Sequence, residues 1–487
     1  MSSKKIIIIG AGLAGLSAGC YAQINGFASQ IFELHNLPGG QCTSWRRKGF
    51  TFDFCIHHLA GCKPDSLLYS MWQDLGALPD QSLIFPECIC RVEDQSGRAL
   101  NVYTDLDCLR EQMLELSPQD AHVIDGYING ARTFTEFDML ETSLLKGVRF
   151  QRRFLKLLAL MKWRLPMKEY AEKFKDPFLR KAFPTIQYDS PETPMLAHLN
   201  ILGNSHARNY AVPAGGSLEF SKSIEKNYLK LGGKINYNSQ VKNILIEGNR
   251  AVGVRLADGS EHRSDIVISD IYARTVIFDM LNGRYVSESI RRQFARPIDN
   301  QGMGVQVYFG LTRYLSNEPR ALVLFLEKPI RIGDREHDRL MVELFGYDTS
   351  LAPAGKSVLK VPLTTSYSYW KVLHQQPEKY KEEKQRLTAT VLSILEKRFP
   401  NITEEVEVSD VATPMTVERY TGISQAYEIN LGLTGLIGLL KGQPKTLPGL
   451  RNFFMVGSSV GTPGIQGCAA MGRNVVEAII QARFGSN

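Results

Sequence analysis

Residues 5–34 of the 487-residue chain read KIIIIGAGLAGLSAGCYAQINGFASQIFEL, and this stretch decides the fold. The isoleucine run at residues 6–9 is typical of a fully buried parallel strand. Gly10, Gly12 and Gly15 follow with the spacing GxGxxG, which permits a tight turn, close approach of a pyrophosphate and close packing of the next helix. The pattern predicts an α/β fold whose first helix directs its N-terminal amides at the phosphates of a dinucleotide.

The remainder of this stretch supplies a helix, a second strand and an acid in the order that such a site needs. Residues 16–23 continue the helix, Gly26 ends it, and residues 28–32 form the strand. Glu33 closes that strand, where an acid accepts hydrogen bonds from both ribose hydroxyls of an adenosine and repels a 2′-phosphate. We therefore predict a dinucleotide site, with a purely structural glycine turn as the alternative.

Three further segments have patterns that extend this site. Residues 37–54, LPGGQCTSWRRKGFTFDF, place Gly39 and Gly40 shortly after the acid, which an NAD-binding unit does not need. Residues 212–270 read as a helix followed by three alternating strands. Residues 452–480 read as a strand, a loop with four glycines and a helix, the glycines being Gly457, Gly461, Gly464 and Gly467. A glycine loop before a helix N-terminus is a second place for anions to meet backbone amides.

These segments resemble the phytoene desaturase, carotenoid isomerase and retinol saturase family of FAD-dependent oxidoreductases, within the amine oxidase-like flavoprotein superfamily. The resemblance implies FAD as the cofactor and, since no other segment repeats GxGxxG, no separate NAD(P)H domain. It implies contacts to FAD from Gly10, Gly12, Gly15, Glu33, Gly39, Gly40, Gln41, Arg46, Val241, Gly457, Ser458, Gly464, Ile465 and Gly467. Gln41 stands where many members have an arginine. We therefore expect Arg46 or Arg47 to neutralise the phosphates, unless both are solvated surface charges.

The same resemblance implies a discontinuous Rossmann-type FAD-binding domain built from N-terminal, middle and C-terminal segments, with an inserted α+β substrate domain. We predict that residues 1–105, 206–290 and 405–487 form the FAD-binding domain, and that residues 106–205 and 291–404 form the substrate domain. Within the latter, residues 110–205 read as mostly helical, residues 300–370 as strands, and residues 377–398 as a helix. A substrate cavity is expected at the junction of the two domains.

The bulk composition excludes several classes of protein. The chain is 44% hydrophobic and 22% charged without a low-complexity tract, as in ordinary globular proteins. The eight cysteines include no CxxC pair, which argues against a zinc site or a disulfide framework, so we expect reduced thiols, no bound metal and a cytoplasmic location. The apolar run at residues 429–440 is shorter than the ~18 residues needed to span a bilayer.

The net charge of +7 is concentrated in one segment. Residues 146–168 hold eight basic side chains and no acid, so the rest of the chain carries about −1. On a helical wheel Phe150, Phe154, Leu157, Leu158, Met161 and Leu165 share one face, and Arg149, Arg152, Arg153, Lys156 and Arg164 share the opposite one. Such a basic amphipathic helix suits peripheral contact with the inner membrane surface, the alternative being an ordinary surface helix. No nucleic-acid recognition motif accompanies the charge, so we expect no nucleic-acid partner.

Two histidines follow the aromatic-Asp motif in the stretch DFCIHHLAGC, residues 53–62. In the family this segment runs close to the flavin. His57 and His58 are therefore the candidate catalytic residues, which would donate a proton or orient a substrate. The alternative is that each is a hydrogen-bonded core histidine.

The resemblance implies a desaturase, saturase or double-bond isomerase acting on a long apolar isoprenoid, carotenoid or polyene acyl chain by hydride transfer to or from flavin N5. A quinone, dioxygen or another small redox partner would complete the cycle. One alternative is an oxidase of amines or of a tetrapyrrole precursor. An alternative of another class is a non-catalytic prenyl-lipid-binding protein of the same fold.

Overall fold

The computed structural model describes residues 4–78, 82–145, 147–295, 304–423, 446–460 and 464–484. Lys146, Gly461 and the apolar run at residues 429–440 lie outside the described residues. No helix in the described part of the chain is both long enough and apolar enough to cross a lipid bilayer.

In chain order the described strands are β1 (Lys5–Ile9), β2 (Ala28–Phe32), β3 (Ser44–Arg47), β4 (Phe50–Asp53), β5 (Leu59–Ala60), β6 (Leu83–Ile84), β7 (Cys88–Glu93), β8 (Ala99–Tyr103), β9 (Tyr210–Pro213), β10 (Lys234–Asn236), β11 (Val241–Glu247), β12 (Arg250–Leu256), β13 (Glu261–Arg263), β14 (Ile266–Ser269), β15 (Val305–Leu311), β16 (Ala321–Ile332), β17 (Arg335–Leu344), β18 (Ser357–Leu363), β19 (Val406–Ala412) and β20 (Phe453–Met455).

The described α-helices are α1 (Leu13–Ile24), α2 (Leu67–Asp74), α3 (Leu106–Leu116), α4 (Ala121–Arg132), α5 (Gly147–Ala159), α6 (Met167–Ala171), α7 (Pro177–Ala182), α8 (Met195–His206), α9 (Gly216–Lys230), α10 (Glu288–Ala295), α11 (Tyr367–His374), α12 (Pro377–Arg398), α13 (Pro414–Thr421) and α14 (Ile465–Phe484).

A five-stranded parallel sheet of order β10-β2-β1-β14-β20 forms the Rossmann-type part of the molecule. Its strands come from the N-terminal, middle and C-terminal parts of the sequence, so the predicted α/β fold class and its discontinuity are confirmed. Successive side chains of a strand point to opposite faces, and both faces of β1 are covered. Ile6 and Ile8 face the core shared with α1 and α14, while Ile7 and Ile9 face the β11–β13 meander. The continuous isoleucine run reflects this double burial.

The second large sheet has seven strands in the order β19-β15-β18-β17-β16-β7-β8 and is antiparallel except where β16 meets β7. Its apolar face packs on α11 and α12 through Trp370, Leu387 and Leu395. Helix α12 spans the residues over which the sequence predicted a helix. The sequence assigned residues 88–103 and 406–412 to the FAD-binding segments. In the structure β7, β8 and β19 instead complete the seven-stranded sheet, because each pairs along its length with a neighbouring strand. The domain boundaries stay a prediction.

Between the sheets lies a mostly helical region, α3 to α8, as expected for residues 110–205. Helix α5 stands at its surface with both polar and apolar side chains exposed: Val148 is 62% and Leu155 64% accessible. One expectation for this helix is wrong. Arg153 does not share the exposed basic face but turns inward, where it pairs with Glu141 and lies over the ring of Phe137.

Candidate cofactor and substrate site

The glycine turn after β1 is packed too closely to accept any side chain. Gly10 has φ 96° and donates its amide to the Phe32 carbonyl over 2.8 Å. A Cβ at Gly15 would lie 2.2 Å from the Gly10 oxygen, and one at Gly12 2.6 Å from Asp270 Oδ2. The turn therefore brings bare backbone to the N-terminus of α1, where the helix dipole favours an anion.

Glu33 lies at the carboxyl end of β2 with its carboxylate held on backbone amides. Oε2 accepts the Ala11 amide at 2.6 Å, and Oε1 accepts the His35 amide at 2.9 Å. Burial raises the pKa of Glu33, although these amides and that of Leu34 oppose the rise. The acid is thus fixed next to the glycine turn, where it can accept hydrogen bonds from ribose hydroxyls.

Asp270 is a residue of this site that the sequence analysis missed. It follows β14, and its Oδ2 accepts the Gly15 amide at 2.7 Å. Its other oxygen, Oδ1, would lie 2.3 Å from a Cβ placed on Gly457. Burial raises the pKa of Asp270 well above its ordinary value, the Gly15 amide opposes this, and nearby Glu33 adds to it. The only sequence signal is an acid at the carboxyl end of a buried strand.

The Gly39-Gly40 pair lies directly against the first turn. Gly39 donates its amide to the Ala11 carbonyl at 2.8 Å, and a Cβ on Gly39 would collide with Cys42 and Ser221. A Cβ on Gly40 would contact only the Cα of Gly12, at 3.5 Å. Gln41, next in sequence, has a buried Nε2 with no hydrogen-bond partner among the described residues. An unsatisfied amide donor beside two glycine turns is a position where a phosphate oxygen would fit.

The C-terminal glycine segment closes the same edge of the sheet. The Val456 amide bonds to the Ser269 carbonyl at 2.9 Å, Gly457 has φ 92°, and Ser458 begins a short 3-10 turn. After the undescribed residues 461–463, Gly464 precedes α14, which Ile465 begins and which includes the buried Gly467. Packing of α14 on α1 is tight, because Ser17 Oγ donates to the Ala469 carbonyl at 2.6 Å.

Two other residues expected to contact the cofactor, Val241 and Arg46, lie outside the glycine turns. Val241 begins β11 and is buried in the core cluster that contains Phe32. Arg46 is exposed on β3, and Arg47 pairs with Asp410, its Nε lying 3.2 Å from Oδ2. Their contacts to a cofactor stay a prediction.

A hydrogen-bonded chain positions the segment that carries the two histidines. Asp53 Oδ1 accepts the Ser217 amide at 2.6 Å at the start of α9, and Oδ2 accepts the Ser217 hydroxyl at 3.0 Å. Ser217 Oγ in turn accepts the Ile56 amide at 3.0 Å. The motif aspartate therefore fixes the backbone that enters His57.

His57 is half-buried and adjoins a buried ion pair on the seven-stranded sheet, formed by Glu343 and Lys360. Its Nδ1 is 3.7 Å from Glu343 Oε2, and Lys360 Nζ is 2.9 Å from the same oxygen. Burial lowers the pKa of His57 to about 4, because the opposing effect of Glu343 is outweighed by burial together with Lys360 and Arg320. His57 is therefore neutral near pH 7, where it can accept or donate a hydrogen bond but is not an imidazolium acid.

His58 is held by two tyrosines. Its Nδ1 lies 2.8 Å from the Tyr188 hydroxyl, and its ring is nearly parallel to that of Tyr210 at a centroid distance of 5.0 Å. Burial lowers the pKa of His58 to about 3, with Arg320 and His57 adding to the effect. The contacts fix the ring orientation and keep it uncharged at neutral pH.

A cavity of about 260 Å³ opens beside His58. Its polar lining includes Tyr188, Tyr210 and Arg320, and its apolar lining includes Phe85, Ile89, Ile201, Ala211 and Val212. The sequence analysis missed Tyr188, Arg320, Glu343 and Lys360, because they come from distant segments that only the tertiary fold brings together. The signal that was available is a charged residue within an apolar stretch of a strand, as at Lys360 in β18 and Glu343 in the second half of β17.

Comparison with known proteins agrees with this geometry. A family model described as an NAD(P)-binding Rossmann-like domain matches residues 8–75. Prolycopene isomerase of Arabidopsis thaliana is 24% identical over 85% of this chain and 72% of its own. The lycopene-forming phytoene desaturase of Pseudescherichia vulneris is 24% identical over 84% of this chain and 85% of its own.

Among solved structures, a putative protoporphyrinogen oxidase from Exiguobacterium sp. 255-15 superposes with a TM-score of 0.60. It is 15% identical and covers 98% of this chain and 99% of its own. At that identity the likeness concerns the fold alone. The chain is thus similar over most of its length to a prolycopene isomerase and a phytoene desaturase, and it has the fold of the putative protoporphyrinogen oxidase.

Proposed function

We propose that the protein binds FAD and catalyses desaturation, saturation or double-bond isomerisation of a long apolar isoprenoid or other polyene. The observation that carries the proposal is the cradle at the sheet edge, where Gly10, Gly12, Gly39 and Gly457 leave room only for backbone. Similarity over about 85% of the chain to enzymes named for carotenoid desaturation and isomerisation supports the choice of substrate. A quinone, dioxygen or another small redox partner exchanges electrons with the cofactor.

In this proposal the protein binds FAD and orients the substrate, while the bound FAD would accept or donate a hydride. The N-terminus of α1 and the Gln41 amide hold the phosphates, and Glu33 accepts the ribose hydroxyls. His57 and His58 are neutral and orient the substrate rather than deliver a proton as imidazolium.

The cofactor is tested first. The purified protein should be yellow and release FAD on denaturation. Glu33→Gln should weaken FAD binding about ten- to hundredfold, as loss of a charged hydrogen bond of about 1.5–3 kcal/mol predicts. Glu404→Gln, at an exposed position, is the matched control and should bind as the parent does. A colourless protein that cannot be reconstituted with FAD would overturn the redox role and leave the prenyl-lipid carrier.

An activity assay then distinguishes an enzyme that acts on polyenes from an oxidase of amines or tetrapyrrole precursors. The FAD-loaded protein should change the double bonds of a polyene under anaerobic conditions with a quinone present, as absorbance and chromatography of the product report. Oxidation of a diamine or of a tetrapyrrole precursor, with no change in any polyene, would favour the oxidase alternative instead.

We also propose that α5 binds the surface of an anionic bilayer. Its exposed apolar side chains are Val148, Phe154, Leu155 and Leu158. Arg149, Arg152 and Lys156 are exposed on the same short helix. Surface helices of monomeric proteins rarely expose so many large apolar side chains together, and the accompanying charge suits anionic headgroups.

Vesicle co-sedimentation tests this surface. Changing Arg149, Arg152 and Lys156 to Glu should reduce binding to phosphatidylserine-containing vesicles by roughly a hundredfold or more, at about 1 kcal/mol for each cation. The matched control changes three exposed lysines on α11 and α12, Lys371, Lys379 and Lys381, to Glu. Equal binding by the two triple variants would contradict the proposal.

A further inference from the structure

The cavity beside His58 is lined by a half-buried guanidinium, that of Arg320, which makes no direct ion pair with a described carboxylate. Arg320 stands immediately before β16, and its Nη2 donates to the Ile56 carbonyl over 3.3 Å. The guanidinium carbon lies 5.6 Å from the ring centroid of Tyr347. Burial lowers the pKa of Arg320, but Tyr347, Tyr188 and Glu343 outweigh burial and leave the pKa raised. Within the described residues no carboxylate lies within 4.0 Å of Arg320. Glu343, the acid of the buried ion pair, is bonded to Lys360.

A half-buried cation without a direct ion pair has lost part of its hydration, and a carboxylate at contact distance would replace it. A pure hydrocarbon substrate would increase the desolvation cost of the guanidinium, since it would exclude the remaining water and offer no hydrogen-bond acceptor. Arg320 therefore favours a ligand that brings an anionic group into the cavity.

The remaining lining defines the shape of that ligand. Phe85, Ile89, Ile201 and Val212 supply an apolar wall, suited to a hydrocarbon chain. Glu87 and Asp105 also line the cavity, as does Arg208, whose guanidinium carbon lies 4.2 Å from the centre of the Phe85 ring. Glu87, Asp105 and Arg208 are exposed, so Arg320 is the less exposed arginine of the lining, and the two acids disfavour a ligand as highly charged as a diphosphate.

We propose that the substrate is an apolar chain ending in a carboxylate, and that Arg320 binds that carboxylate. The inference rests on the proposed function and narrows its substrate class. The planar guanidinium matches the two oxygens of a carboxylate. The Tyr188 hydroxyl, bonded to His58 at 2.8 Å, lies in the same lining and offers a further hydrogen-bonding group. With its carboxylate held at Arg320, the chain lies along the apolar wall.

The test compares two probes that differ only in this group, all-trans-retinoic acid and all-trans-retinol, titrated into the FAD-loaded protein by isothermal calorimetry. The parent should bind the acid at least tenfold more tightly than the alcohol. Arg320→Met should remove that preference, lowering affinity for the acid tenfold or more while changing affinity for the alcohol less than twofold. Arg320→Lys keeps the charge and should retain part of the preference.

Arg331→Met, at the far, exposed end of β16, is the matched control and should behave as the parent for both probes. Unchanged binding of the alcohol also verifies that Arg320→Met is folded. Equal affinity of the parent for acid and alcohol would overturn this inference and leave the proposed function standing. Binding of neither probe by a protein that holds FAD would overturn the apolar substrate as well.

Discussion

Asp270 is the residue at which the two glycine segments of the chain meet. Its Oδ2 bonds to the Gly15 amide and leaves no space for a side chain at Gly12, while Oδ1 leaves none at Gly457. One carboxyl group therefore sets the separation between the N-terminal turn and the C-terminal one. Burial raises the pKa of Asp270 well above its ordinary value, so folding favours the neutral form of this carboxyl relative to the unfolded chain.

The raised pKa predicts a pH dependence of stability. A carboxyl whose pKa is higher in the folded than in the unfolded chain contributes stability that is complete below the unfolded pKa and is lost as pH rises through the folded value. Asparagine keeps the shape and stays neutral. As pH rises from 5 to 8, the free energy of unfolding of Asp270→Asn should therefore increase relative to that of the parent, by at most about 1.4 kcal/mol per pH unit.

Urea denaturation at the two pH values measures this difference. Asp65→Asn, at an exposed position, is the control for removing an acid without removing the buried one. Parallel pH profiles for the parent and Asp270→Asn would show that this carboxyl is not the group that titrates.

At the scale of elements, the contact of α1 with α14 joins the first and last described helices. Gly472 on α14 is the closest approach, since a Cβ there would lie 2.3 Å from the Ala14 oxygen and 2.7 Å from Ser17 Cβ. The atoms nearest to it include backbone, so they cannot move aside by changing rotamer. Packing of the two helices thus fixes the N-terminal half of α1 in place.

Gly472→Ala should destabilise the protein by about 1–3 kcal/mol, because overpacking outweighs the better helix propensity of alanine. Gly126→Ala in α4 is the matched control. Its Cβ would have only the Tyr170 hydroxyl nearby, at 3.8 Å, so the change should stabilise by up to about 1 kcal/mol. Urea midpoints of the two variants give the comparison, and a stabilised Gly472→Ala would contradict the packing argument.

At the scale of the whole molecule, the features that depend on spacing within one segment were predicted from the sequence. The features that depend on contacts between distant segments were missed. The βαβ unit and Glu33 were predictable because turn, helix and acid lie within 30 residues at required intervals. Arg320, Glu343 and Lys360 were not, because they meet only through the order β18-β17-β16. Arg153 was misplaced for two reasons: it lies four residues before the buried Leu157 and so borders the buried face of the helix, and Glu141, its partner there, comes from outside the helix.

The strand order of the parallel sheet also has a consequence for biosynthesis. Its edge strand β20 and the helix after it come last in the sequence, yet they pair with β14 and pack on α1. A nascent chain on the ribosome cannot complete this sheet until nearly every other element has emerged, and its apolar edge stays uncovered during elongation. If the protein binds FAD as proposed, it would capture the cofactor late in maturation, and chaperones that shield such an edge would act on the chain before that.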